Sequence, residues 1–208
     1  MDDAYGLYLV LTNPLMGYEA CTRAAVRQGV RFVQLRMKNT PEDQILKKAK
    51  ALREITRGSN TLFIVNDHVH IAREVDADGV HLGQDDMSLD VARSLWPDSG
   101  KIFGLSTHGV DQELSARSLK PDYIGVGPVF STPTKEKPDP TMGLETVGRI
   151  ITSSPLSCVA IGGIDQENLP RVLAHGAKNF AVVRAVNQAA DPEEAIRGLM
   201  EIWRNFHS

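Results

Sequence analysis

Short apolar, β-branched runs recur eight times along this 208-residue chain, and each is followed by a polar-punctuated helical pattern. The runs fall at residues 7–12, 31–36, 62–66, 79–81, 101–105, 123–126, 157–161 and 179–183. Strands that alternate with helices pair in parallel, because each helical crossover returns the chain to the same end of the sheet. Eight such units match a closed (β/α)8 TIM barrel better than an open doubly wound sheet, which usually has fewer strands. The arithmetic is tight, since 208/8 leaves 26 residues per unit. The expected architecture is therefore α/β, a single barrel domain over residues 1–208 with no linker or second domain.

Helix starts can be read in two places. Thr40-Pro41-Glu42-Asp43 and Asp191-Pro192-Glu193-Glu194 each set a capping residue before a proline suited to the first helical turn. In the last helix Ile196, Leu199, Met200, Trp203 and Phe206 recur at helical spacing, a stripe expected to pack on the core. One connection breaks the pattern of short loops. It covers residues 127 to about 143 and carries Pro128, Pro133, Pro138 and Pro140. So long a loop in so compact a chain is a candidate lid or binding loop.

Composition removes several function classes. An apolar content of 42% is too high for a disordered chain, and no apolar run approaches the ~18 residues of a membrane span. The opening MDDAYGLYLV carries acids where a secretory leader carries cations. Lys+Arg is 23 against 26 Asp+Glu, a net charge of −3 without the basic excess of a nucleic-acid binder. Cys21 and Cys158 lie far apart in apolar segments and read as buried thiols in a reducing compartment, not as a disulfide. We expect a cytoplasmic protein without nucleic-acid or membrane partners; the sequence leaves a homo-oligomer open.

A βα barrel carries its active site at the C-terminal ends of the strands. Strand 2 ends Val33-Gln34-Leu35-Arg36-Met37-Lys38, and period-two alternation sets Gln34, Arg36 and Lys38 on one face. An amide and two cations there are costly unless an anion meets them. Asp67 ends strand 3 and Asp86 follows strand 4. Two carboxylates near those cations suggest a hard metal ion, Mg2+, bridging to a phosphate or diphosphate. Ser106, Thr107 and His108 bring hydroxyls and an imidazole to the end of strand 5, with the imidazole's part left open between proton carrier and hydrogen-bond spacer. Ser131-Thr132-Pro133-Thr134-Lys135 on the long loop suits phosphate oxygens and a departing anion. Gly162-Gly163 after strand 7 and Val183-Arg184 after strand 8 suggest a second anion site built from backbone amides.

Three patterns carry no such weight. Gly125-Val126-Gly127 lacks the third glycine and the helix of a dinucleotide fingerprint. His68-Val69-His70 falls where a helix should start, and at i, i+2 on a helix the rings diverge. Lys47, Lys48 and Lys50 lie opposite Ile45, Leu46, Ala49 and Leu52, as on a solvated helix face.

Taken together, VQLRMK at 33–38, VND at 65–67, DGVHLGQDD at 78–86, GLSTH at 104–108, GVGPVFSTPTK at 125–135 and AIGGI at 160–164 resemble the thiamine-phosphate synthase family over nearly the whole chain. The resemblance implies a Mg2+-dependent enzyme acting on small phosphorylated substrates. An aminopyrimidine with a diphosphooxymethyl arm would lose diphosphate, and the resulting carbocation-like methylene would be captured by the nitrogen of a thiazole phosphate, giving thiamine phosphate. It also implies roles. Gln34 would read the pyrimidine; Arg36, Lys38, Asn66 and Lys135 would hold the diphosphate; Asp67 and Asp86 would carry the metal. Ser106 would sit beside the reacting carbon, Thr132 and Thr134 would face the thiazole, and its phosphate would meet Gly163 and the amides of Val183 and Arg184. Lys135, Arg36, Lys38 and Ser106 would form the catalytic set. The chain departs from the family pattern at Asn13, Met37 and Gly109, none of them an expected ligand. Two alternatives share the fold: a thiazole tautomerase, in which His108 would move a proton without a metal, and a non-catalytic sensor of pathway phosphates.

Overall fold

A computed structural model describes residues 4–132, 134 and 139–207, and in it the eight strands close into a barrel in sequence order. They are β1 (Gly6–Leu11), β2 (Phe32–Leu35), β3 (Leu62–Asn66), β4 (Gly79–Leu82), β5 (Ile102–Thr107), β6 (Tyr123–Val126), β7 (Cys158–Ile161) and β8 (Asn179–Val182). Each pairs in parallel with the next, and β8 returns to β1. The crossovers are α1 (Tyr18–Arg27), α2 (Glu42–Thr56), α3 (Val69–Glu74), α4 (Leu89–Leu95), α5 (Val110–Leu119), α6 (Gly143–Ser153) and α7 (Leu169–Ala174). After β8 come a four-residue α8 (Arg184–Asn187), which the sequence pattern had not separated, and the long α9 (Pro192–His207).

Alternation along the strands divides the apolar residues into two cores. Leu7, Leu9 and Leu11 of β1, with Val33 and Leu35 of β2, face outward into the layer between sheet and helices. Tyr8, Val10, Phe32, Ile64, Tyr123, Val159 and Ala181 face inward and fill the barrel. The outer core is large and mostly aliphatic, with Phe63, Trp96, Phe103 and Phe180 among its members; the inner one is small and rich in rings. Each inward aromatic side chain removes roughly 150–250 Å² from water, so few residues suffice to fill the barrel.

Five strand ends differ from the sequence pattern by one or two residues, and those of β2 and β5 bear on the candidate residues near them. β2 stops at Leu35, so Arg36 and Lys38 follow the strand, although the Arg36 amide still donates to the Leu11 carbonyl at 2.9 Å. β5 runs on to Thr107 because Ser106 and Thr107 still pair with Gly125 and Val126 of β6. The two expected caps part company. Asp191 Oδ1 accepts from the amides of Glu193 and Glu194, both at 3.0 Å. Thr40 does not cap α2; its hydroxyl donates to the Lys38 carbonyl at 3.1 Å and Pro41 occupies the cap position. The α9 stripe buries Ile196, Leu199 and Met200, and Trp203 seals against Gly6 while its Nε1 donates to the Lys178 carbonyl. Phe206, expected in that stripe, is exposed in the last turn.

Candidate active site

The inward residues of five strands are joined by a chain of hydrogen bonds across the barrel. Gln34 Nε2 donates to the Tyr8 hydroxyl at 2.8 Å, and the Tyr8 and Tyr123 hydroxyls lie 2.7 Å apart. Tyr123 meets His81 Nδ1 at 3.0 Å, and His81 Nε2 meets Ser106 Oγ at 2.9 Å. The direction that makes all four bonds and leaves no hydroxyl hydrogen between Gln34 and His81 without a partner starts at the Gln34 amide, which can only donate. In that direction Tyr8 passes its hydrogen to Tyr123, Tyr123 donates to Nδ1, and the Nε2 hydrogen goes to Ser106. Ser106 then keeps its own hydroxyl hydrogen to offer into the cavity. Burial pushes the Tyr8 and Tyr123 hydroxyls well above the ordinary phenol range, so both stay neutral links. The chain needs room at β5. A Cβ on Gly104 would stand 2.2 Å from Tyr123 Cζ and 2.6 Å from His81 Nδ1.

Beside this chain, at the ends of β3 and β4, two carboxyl groups meet. Asp67 lies in the left-handed region at φ 63°, which turns it out of the strand while its amide donates to the His81 carbonyl at 2.9 Å. Asp86 Oδ2 accepts from the Gly83 amide at 2.7 Å. Asp67 and Asp86 stand close enough to act on each other, and Lys38 Nζ pairs with Asp67. Burial and then the Asp86 carboxyl hold Asp67 above the usual carboxylate range, against the pull of Lys38. Burial would raise Asp86 as well, but the bonds from Asp67 and the Gly83 amide outweigh it and hold that group below. The geometry is a pair of hard oxygen donors next to a cation.

The opposite side of the mouth is backbone-rich. The base of the 127–143 loop is tied to β7 by Val129 N to Ile161 O at 2.9 Å and Phe130 N to Gly162 O at 3.0 Å. Gly163, at φ 65°, would drive a Cβ to 2.8 Å from Phe130 Cβ and from the Ser131 carbonyl. Glycine there serves the seating of the loop as well as access to the amides of the β7 end. Thr132 and Thr134 hydroxyls lie 3.0 Å apart at the loop's inner edge. His108 Nδ1 donates to the Gly127 carbonyl at 2.6 Å, and Nε2 faces the Asp139 carboxylate at 3.5 Å, so the ring braces both ends of the loop.

The hydrogen-bond chain and the backbone-rich side open into one cavity of about 760 Å³. Of the residues singled out from sequence, Gln34, Arg36, Asn66, Ser106, Thr132, Thr134, Gly163, Val183 and Arg184 line it. Lys38, Asp67 and Asp86 form the neighbouring rim beyond Asn66. Lys135, with Pro133 and Pro138 of the same loop, lies outside the described residues. Sequence reasoning missed Tyr8, Tyr123 and His81, which also line the cavity. The available signal was a polar-tipped ring at an inward position of each strand. The separation at i, i+2 predicted for His68 and His70 does not hold either. His68 precedes the helix as its cap, at φ −86° and ψ 82°, and the two ring centroids are 5.8 Å apart. Lys48 and Lys50 keep to the helix surface as expected, paired with Glu19 and Glu74.

Comparison with known proteins bears on this site. The sequence model of a family described as thiamine monophosphate synthase matches residues 7–186. The chain is 46% identical over 195 residues to the thiamine-phosphate synthase of Synechocystis sp., covering 93% of this chain and 56% of that longer relative. It is 39% identical over 210 residues to the thiamine-phosphate synthase of Archaeoglobus fulgidus, covering 100% of this chain and 98% of the other. The solved thiamine phosphate pyrophosphorylase from Pyrococcus furiosus superposes with a TM-score of 0.89 at 35% identity, over 98% of both chains. A 3-hexulose-6-phosphate synthase from Salmonella typhimurium superposes at 0.73 with 14% identity, over 97% of this chain and 100% of that one, a likeness of fold alone.

Proposed function

Because the chain belongs to the thiamine monophosphate synthase family, we propose that the cavity at its strand ends holds an aminopyrimidine diphosphate and a thiazole phosphate at once and couples them. The activity is that of a thiamine-phosphate synthase, a transferase of thiamine biosynthesis (EC 2.5.1.3). The observation that carries the site assignment is that two anion-suited regions open into the same cavity. One is Arg36 and Asn66 beside the rim of Lys38, Asp67 and Asp86. The other is Gly163 with Val183 and Arg184.

In this reading Gln34 presents its carboxamide to the pyrimidine while its Nε2 is held by Tyr8. Arg36, Lys38 and Asn66 take the diphosphate oxygens; Lys135 joins them from the loop. Enzymes of this family use a metal ion, and we assign Mg2+ to Asp67 and Asp86. The donor set fits, since Mg2+ prefers one or two carboxylates with phosphate oxygens and water. Bound there, it supplies positive charge against the diphosphate. The bond between the pyrimidine methylene and the diphosphate oxygen breaks with both electrons leaving on oxygen. The thiazole nitrogen lone pair then forms the new bond to that carbon. Ser106, its hydroxyl hydrogen freed by His81, donates beside the departing oxygen. Thr132 and Thr134 flank the thiazole, and the amides of Gly163, Val183 and Arg184 receive its phosphate. Side chains thus orient, exclude water and stabilise charge, and no nucleophile is required. The buried free thiols Cys21 and Cys158 and the small phosphorylated substrates support a cytoplasmic setting. No helix among the described residues is long and apolar enough to cross a membrane.

The test is the Mg2+ dependence of coupling. Asp67→Asn and Asp86→Asn should each lower kcat/KM by about 10²-fold or more, the scale of losing one preorganised charge-stabilising group. Unchanged Mg2+-dependent rates in both variants would remove the pair as metal ligands. Isomerisation of the thiazole phosphate without Mg2+ would support the tautomerase.

A further inference from the structure

The geometry points to a second metal site, for a transition-metal ion of the Zn2+ class, formed by Glu42, His68 and His70 on the outer rim of the barrel. Glu42 opens α2, His68 caps α3 and His70 lies in the first turn of α3. His68 Nδ1 is 3.6 Å from Glu42 Oε1, and His70 Nε2 is 3.2 Å from Glu42 Oε2. One ligand atom from each of the three residues lies within 4.8 Å of the other two. Among the described residues no other group of three His, Cys, Asp or Glu side chains converges in this way.

Ligand-to-ligand spacing decides what such a cluster can hold. Bonds of about 2.0–2.1 Å in a tetrahedron set neighbouring donors about 3.3–3.4 Å apart. The two histidine–carboxylate distances, one to each Glu42 oxygen, bracket that edge, and the three ligand atoms already stand within 4.8 Å of one another. The donor chemistry sets the class. Two neutral imidazoles and one carboxylate favour Zn2+, Co2+ or Ni2+; Mg2+ prefers oxygen ligands throughout. Water completes the fourth position, because Glu42 and His70 are 64% and 60% exposed. His68 is the most enclosed of the three, at 28%. Its capping conformation, off the helical path, brings its ring to its neighbour instead of letting the two diverge.

The cluster borders the carboxylate pair through the Asp67–His68 peptide but uses none of its atoms, so the inference stands apart from the coupling reaction. A bound ion would tie the first turn of α2, which follows β2, to the corner after β3.

Zn2+ binding to the full-length protein, measured by titration calorimetry with Mg2+ in large excess, tests this. We expect one equivalent of Zn2+ with a rise in Tm. His70→Ala and Glu42→Gln should each weaken binding at least 10-fold and abolish the Tm rise, whereas His175→Gln, a surface histidine elsewhere, should change neither. Co2+ substitution should show the visible absorption of a four-coordinate ion, lost in His70→Ala. Absence of Zn2+ binding in the unsubstituted protein would overturn the assignment. So would binding that persists in both rim variants but is lost in Asp86→Asn.

Discussion

Tyr123 sits at the midpoint of the hydrogen-bond chain that crosses the barrel, between Tyr8 and His81. Replacing it with Phe keeps the ring and removes the one oxygen that bridges them. Two buried polar groups would then lose their partner, at a cost of about 1–3 kcal/mol. Urea unfolding of Tyr123→Phe should show that loss, and kcat should fall about 10-fold with little change in KM, because Ser106 loses its fixed orientation. A variant with wild-type kcat would show that Ser106 needs no support from the chain. None of this was legible in the sequence. Tyr8 and Tyr123 are 115 positions apart, and alternation shows that each points inward without showing which side chains meet across the barrel. Gln34 was legible because an amide stands out on an apolar face. Asp67 and Asp86 were legible because they follow strand ends, though their effect on each other was not.

At the level of elements, β5 carries more than its length suggests. Gly104 pairs with Tyr123 on β6 and with His81 on β4, and its missing side chain is the space in which those two rings stack. Gly104→Ala should therefore lower stability by about 1–3 kcal/mol through overpacking, and circular dichroism melts would register it. A Tm equal to that of the parent protein would mean the rings can separate at no cost. The order of elements was readable because each strand and helix declares its own period. Element ends were less so, since they depend on neighbours: β5 is longer than its apolar run because β6 continues beside it, and β2 is shorter. α8 was invisible in sequence because four residues carry no periodic signal.

Across the whole molecule, local placement outweighs the total. A chain with net charge −3 gathers Arg36 and Lys38, a carboxylate pair suited to a cation and the backbone amides of two strand ends around one opening. A minimal barrel has little chain to spare, so its surplus length goes into the 127–143 loop, whose base is hydrogen-bonded to β7 and braced by His108. In the proposed reaction one cavity binds both phosphorylated substrates and joins them. Its most direct measurement mixes the purified protein with the aminopyrimidine diphosphate, the thiazole phosphate and Mg2+, and quantifies both products over time. Thiamine phosphate and diphosphate should appear together in equal amounts. Binding of both substrates without turnover, or diphosphate release with no thiamine phosphate formed, would contradict it.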